Sequence, residues 1–167
     1  MKTDFVVPVK AGDDLDLKSA AGFSDQLTGA LADHPAARLG DLREIPISVL
    51  AYIGDAVYEL YVRLYATSQS SGKSGLLHRL SVRMVKARAQ AEAIRHLLPD
   101  LTEEEQSICR RGRNSQPGSM SRHADPADYL MATGLEALVG YLYLKQDHER
   151  LNQLMARILE DLNHETI

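Results

Sequence analysis

Two carboxylates in this 167-residue chain stand out because of their neighbours. Asp55 lies within ISVLAYIGDAVYELYVRLYA and Glu136 within ADYLMATGLEALVGYLYLK, each surrounded by apolar or small residues at most helical neighbour positions. A lone carboxylate is costly to bury unless something compensates it. Two of them brought together by two helices would hold a hard cation, and Mg2+ suits one or two carboxylates completed by water and phosphate oxygens. Beside a basic surface, such a cation would activate water and stabilise the charge developing on a phosphodiester. The competing reading, in which each acid pairs with an arginine or a hydroxyl, stays open at this point.

Other chemistries find less support. The sequence GKS at Gly72–Ser74 would close a phosphate loop only with glycine at position 67, which is Thr67, so that motif is rejected. The six histidines, at 34, 78, 96, 123, 148 and 164, never fall in a metal-ligand spacing such as HExxH. His123, beside Arg122 in a polar loop, reads as a solvated loop residue. Cys109 is the single cysteine; it has no evident partner base and cannot form an internal disulfide, which fits a cytoplasmic setting. The short apolar run near the N-terminus is interrupted by Pro8, so neither a signal peptide nor a membrane span is expected.

The net charge of -4 argues, taken whole, against a nucleic-acid binder, but the average conceals a segregation. Met1–Glu44 carries five Lys/Arg against eight Asp/Glu, and His123–Ile167 three against eight. Lys73–Arg122 holds ten basic residues and five acids, a net of +5. The elements that must position all these groups follow from apolar spacing. Ile47, Leu50, Ile53, Val57, Leu60 and Leu64 predict a helix after Pro46, with Ser48, Tyr52, Asp55, Glu59 and Arg63 on a narrow polar stripe. A second helix is predicted over Leu76–Leu98, with Leu77, Leu80, Met84, Ala87, Ala91, Ile94 and Leu98 packing, and Arg79, Arg83, Lys86 and Gln90 forming a basic polar row on another face. Thr102 followed by Glu103, Glu104 and Glu105 is a capping box that opens a short helix running into Arg110, Arg111, Gly112, Arg113 and Asn114. One cation suffices to offset a helix dipole, whereas three arginine forks at a helix end suit phosphate. Pro126 opens a helix in which Ala132, Ala137 and Gly140 permit close packing, and a last amphipathic helix runs from about His148 to Leu162. With a weak helical stretch at Ser19–Leu31 and no alternating strand pattern from residue 45 onward, the expectation is an all-α domain of five or six helices over 45–167 preceded by an acidic, poorly ordered arm, 1–44.

LAYIGDAVYELYVR from Leu50, KARAQAEA from Lys86, RRGRN from Arg110 and ATGLEALVGYLYL from Ala132 together resemble the ribonuclease III family, in particular its Mini-III branch, over roughly Ile45–Leu162. In the general motifs ERLEFLGD and DxxEA, the matching acids here are Asp55 and Glu136, while Ala51 and Thr133 stand where two further acids occur, a departure shared with Mini-III proteins; Asp125 or Asp128 could assist the site. The resemblance implies a ribonuclease III endonuclease-domain fold and a Mg2+-dependent endoribonuclease acting on double-stranded RNA to leave 5′-phosphate and 3′-hydroxyl ends. It also implies a homodimer with Tyr52 plugged into the partner, and a role in maturation of 23S ribosomal RNA. Because the chain ends at Ile167 with no room for a separate RNA-binding domain, RNA binding is expected to rest on Arg79, Arg83, Lys86, Arg110, Arg111, Arg113 and Asn114. The alternative is a catalytically silent helical module that binds structured RNA or ribosomal proteins.

Overall fold

The computed structural model describes residues 41–42, 44–69, 74–116 and 125–164. The weak stretch at Ser19–Leu31, most of the acidic arm, and Arg122 with His123 lie outside them. The described residues form six α-helices and no strand: α1 Ile47–Ser68, α2 Ser74–Met84, α3 Ala87–Leu97, α4 Glu103–Arg113, α5 Pro126–Leu144 and α6 His148–His164, with a 3-10 turn at Leu98–Asp100.

Helix α5 is the axis of the fold. Its composition is apolar on nearly all sides, and Ala132, Leu135, Ala137, Leu138, Val139, Tyr141 and Leu142 are buried between α1, α3, α4 and α6. Each fully buried leucine contributes about 1.5–3 kcal/mol relative to exposure. Asp125 caps α5 by accepting from the Ala127 amide at 2.8 Å, and Pro126 follows at the position where a missing N–H costs nothing. The α1–α5 crossing is closer than two ordinary helices allow. A Cβ on Gly54 would overlap the carbonyl of Glu136, and one on Gly140 would overlap the carbonyl of Leu50. A similar approach joins α4 to α5, where a Cβ on Gly112 would lie 2.8 Å from the Gly134 Cα.

The crossing fixes the rotation of α1 about its own axis. Gly54 must face α5, so Leu50, Val57, Tyr58, Val62 and Ala66 are buried with it. Leu60 and Leu64, expected in the core from their spacing, are instead exposed on the outer side of α1 along with Tyr52.

The predicted single helix over Leu76–Leu98 is two helices. Lys86 adopts an extended backbone (φ -67°, ψ 141°) and α3 restarts at Ala87. In an unbroken helix the Met84 carbonyl would accept from the amide four residues on. Here the buried Tyr58 hydroxyl donates to it at 3.2 Å, satisfying the end of α2 from another helix. The break overturns the continuous basic row, because its members no longer share one helix face, and Gln90 turns inward to 2% exposure. Helix α6 packs Leu151, Leu154, Met155, Ile158 and Leu162 inward, as the spacing predicts.

Candidate active site

The glycine crossing brings the two carboxylates together. Gly54 abuts the backbone of Glu136, and Asp55, the next residue of α1, is near enough for its charge to act on the Glu136 side chain of α5. Asp55 is exposed, and Glu136 is half-buried. No ion pair to either acid occurs among the described residues, and the two carboxylates repel each other. Burial, with the Asp55 charge added, pushes Glu136 from its ordinary 4.5 up to about 7. Asp55 is also raised, by burial and by the neighbouring Glu59. The Gln90 side chain on α3 acts in the opposite direction, favouring the Glu136 anion.

Positive charge is what this pair lacks. Exposed or half-exposed carboxylate oxygens without a protein counter-ion are the donor set a hard divalent cation takes, with water and phosphate oxygens completing its shell. The residues present therefore fit Mg2+. Among the described residues no third His, Cys, Asp or Glu joins them. Asp128 pairs with Arg95 at 2.7 Å, Asp125 is engaged as the α5 cap, Ala51 is buried, and the Thr133 hydroxyl donates to the Tyr129 carbonyl at 3.0 Å.

The basic residues fall into two groups. Arg83 and Lys86 line a groove at the α2–α3 break with Met84, Ala89, Leu162 and the ion-paired Arg88 and Glu92. Arg110 and Arg113, at the end of α4, line a hollow against Cys109, Met131 and Gly134 where α4 meets α5. Arg79, Arg110, Arg113 and Asn114 are exposed. Arg111 is exposed as well but donates to the Ile45 carbonyl at 3.4 Å, tying α4 to the start of α1. Burial raises the Cys109 thiol to about 12, which leaves it inert at neutral pH.

Tyr52 is 82% exposed, three residues before Asp55. Gln90 is the polar residue that spacing along one long helix misplaces. A signal for its true position exists, since Gln90, Ile94 and Leu97 share the three-and-four spacing of a buried stripe once the helix is started at Ala87.

Comparison with known proteins gives consistent results. The ribonuclease III domain family matches residues 48–147. Mini-ribonuclease 3 of Symbiobacterium thermophilum is 46% identical over 118 residues, covering 71% of this chain and 91% of that protein. Mini-ribonuclease 3 of Clostridium tetani is 42% identical over 120 residues, covering 71% and 80%. A crystal structure of a protein from Fusobacterium nucleatum superposes with a TM-score of 0.66 at 28% identity, covering 72% of this chain and 97% of that one.

Proposed function

This chain belongs to the ribonuclease III family, among the Mini-ribonuclease 3 proteins, and is an endoribonuclease; from that premise we propose that it cleaves double-stranded RNA at a Mg2+ site held by Asp55 and Glu136. The observation that carries this reading is the acid pair itself, two carboxylates set side by side by a glycine crossing, with no counter-charge among the described residues. A structural pair would be neutralised by an arginine, whereas this one awaits a cation from outside.

A bound Mg2+ supplies charge that activates water and offsets the negative charge growing on the phosphodiester. Asp55 and Glu136 would hold it, Glu136 in its carboxylate form. The hydrolysis joins a water oxygen to phosphorus and breaks the bond to the 3′ oxygen, which takes up a proton, leaving 5′-phosphate and 3′-hydroxyl ends. Arg79, Arg83, Lys86, Arg110, Arg111, Arg113 and Asn114 bind the phosphate backbone, so the substrate is chosen by A-form shape more than by base sequence.

Cutting both strands of a duplex calls for two sites. The exposed apolar face of α1, with Tyr52, Leu60 and Leu64, supports a homodimer in which Tyr52 enters the partner. Residues 45–167 are the catalytic domain of this reading, and 1–44 an appended arm. Membership among the Mini-ribonuclease 3 proteins supports precursor 23S ribosomal RNA as the substrate and a cytoplasmic location; no helix among the described residues is long and apolar enough to cross a membrane.

The test is incubation of the pure protein with end-labelled duplex RNA and with precursor 23S RNA, with and without Mg2+. Cleavage of duplex that stops on chelation is the expected result. Binding without cleavage under every divalent cation would instead identify a silent RNA-binding module.

A further inference from the structure

Gln90 is 98% removed from solvent, and its Nε2 meets no partner at full hydrogen-bond geometry among the described residues, although its side chain comes near enough to Glu136 to act on that carboxylate as a hydrogen-bond donor. A buried amide donor left in that state is costly, and a methionine of similar length would not carry that cost. The group in front of it is the Glu136 carboxylate, whose anion it favours. Helices α1 and α3 both pack on α5, and from them Asp55 and Gln90 both act on the Glu136 carboxylate. No other His, Cys, Asp or Glu among the described residues reinforces the acid pair, so nothing else of that kind is available to hold the Glu136 carboxylate in one rotation.

We propose that Gln90 is a positioning residue for the cation site: its Nε2 donates to one Glu136 oxygen and so fixes the carboxylate with its other oxygen directed, alongside Asp55, at the divalent ion. The inference rests on the Mg2+ reading of the acid pair. In metal sites, groups that orient a ligand without touching the ion alter affinity about 10–100-fold when removed. The break between α2 and α3 is what makes this approach possible, because on one continuous helix Gln90 would share the outward face of Arg79 and Arg83.

The experiment is Mn2+ binding, followed through the electron paramagnetic resonance signal of the free ion, on the full chain and on Asp55→Asn, Glu136→Gln, Gln90→Met and the Glu136→Gln/Gln90→Met double variant. Gln90→Met is expected to weaken Mn2+ binding about 10–100-fold, with no loss of thermal stability in chelator and no further effect once Glu136 is already an amide. Wild-type Mn2+ affinity in Gln90→Met, while Asp55→Asn loses the ion, overturns the positioning role and leaves the cation site standing. Absence of any Asp55-dependent Mn2+ binding in the wild type overturns both. Should Gln90→Met fail to fold, the side-chain amide resonances of Gln90 in the wild type decide the matter. A shift on adding Mg2+ that disappears in Glu136→Gln supports the role, and unmoved resonances overturn it.

Discussion

The molecule contains two glutamates withdrawn from water on neighbouring helices, and it treats them in opposite ways. Glu105, on α4, is 4% exposed; Arg150 of α6 donates to it from Nε at 2.8 Å and from a guanidinium NH2 at 2.9 Å, and the Thr102 amide donates at 2.8 Å. Burial alone would raise this carboxyl, but Arg150 and the Thr102 cap bring it below its ordinary 4.5. Glu136, on α5, is less buried but is raised to about 7 by burial and by the charge of another carboxylate, Asp55. A buried acid that holds a fold together is neutralised by the chain itself; one that the chain leaves uncompensated is available to an external cation. The same contrast separates the arginines. Arg150 is engaged by Glu105, whereas Arg110 and Arg113 make no ion pair among the described residues and remain open to phosphate.

The largest expected effect tests this division directly. Asp55→Asn or Glu136→Gln should reduce RNA cleavage by about a thousandfold or more, since several kcal/mol of charge stabilisation goes with the cation, while circular dichroism stays that of the wild type. Full cleavage by either amide variant would remove that residue from the site. Glu105→Ala should do the reverse, losing about 3–5 kcal/mol of stability through the uncompensated Arg150 charge and the broken cap, with unchanged turnover per folded molecule at low temperature. Denaturant titration beside an activity assay separates the two.

The pH dependence has opposite signs at the two glutamates. Glu136 is raised in the folded state, so its favourable contribution is complete below about 4.5 and is lost as pH rises through about 7 in the absence of metal. Glu136→Gln should therefore make the chelated protein more stable at pH 8 by about 1–3 kcal/mol, an advantage that vanishes near pH 4. Cation binding should weaken as pH falls below about 7 for the same reason. Glu105 is lowered, so its contribution is present above 4.5 and is lost as pH falls below that value. Unfolding curves of the wild type, Glu136→Gln and Glu105→Gln from about pH 2 to 8, in chelator, would expose any failure of this symmetry.

Two smaller effects extend the contrast to the surface. Tyr52→Ala should weaken self-association by about 2 kcal/mol, as truncation of an aromatic anchor does, and sedimentation of a wild-type monomer at micromolar concentration would refute the dimer. Arg110→Gln/Arg113→Gln should lower duplex affinity across many RNA sequences and reduce the salt slope by about 0.7–0.9 for each phosphate that is no longer neutralised. An unaltered slope would return these arginines to the ordinary decoration of a helix end.

Local pattern was sufficient for the helices as units. The Thr102–Glu105 capping box, Asp125 with Pro126, and the apolar stripe of α6 each involve residues within a few positions of one another, and hydrogen bonds or packing of that range are dictated by the chain segment itself. The apolar surroundings of Asp55 and Glu136 likewise marked those two acids without reference to any partner. What the segments could not specify is their rotation and where they break, because those are set by groups far away in sequence. Tyr58 ends α2 by bonding the carbonyl of Met84, 26 residues on. Gly54 meets Glu136 across the helix crossing, which turns Leu60 and Leu64 to the surface and brings Asp55 to its companion. The inward turn of Gln90 follows from the break at Lys86. The amino-acid sequence determined which side chains carry charge in apolar company; close packing of helix against helix decided which of those charges meet and which are neutralised, since only backbones packed as closely as glycine allows fix positions across the core.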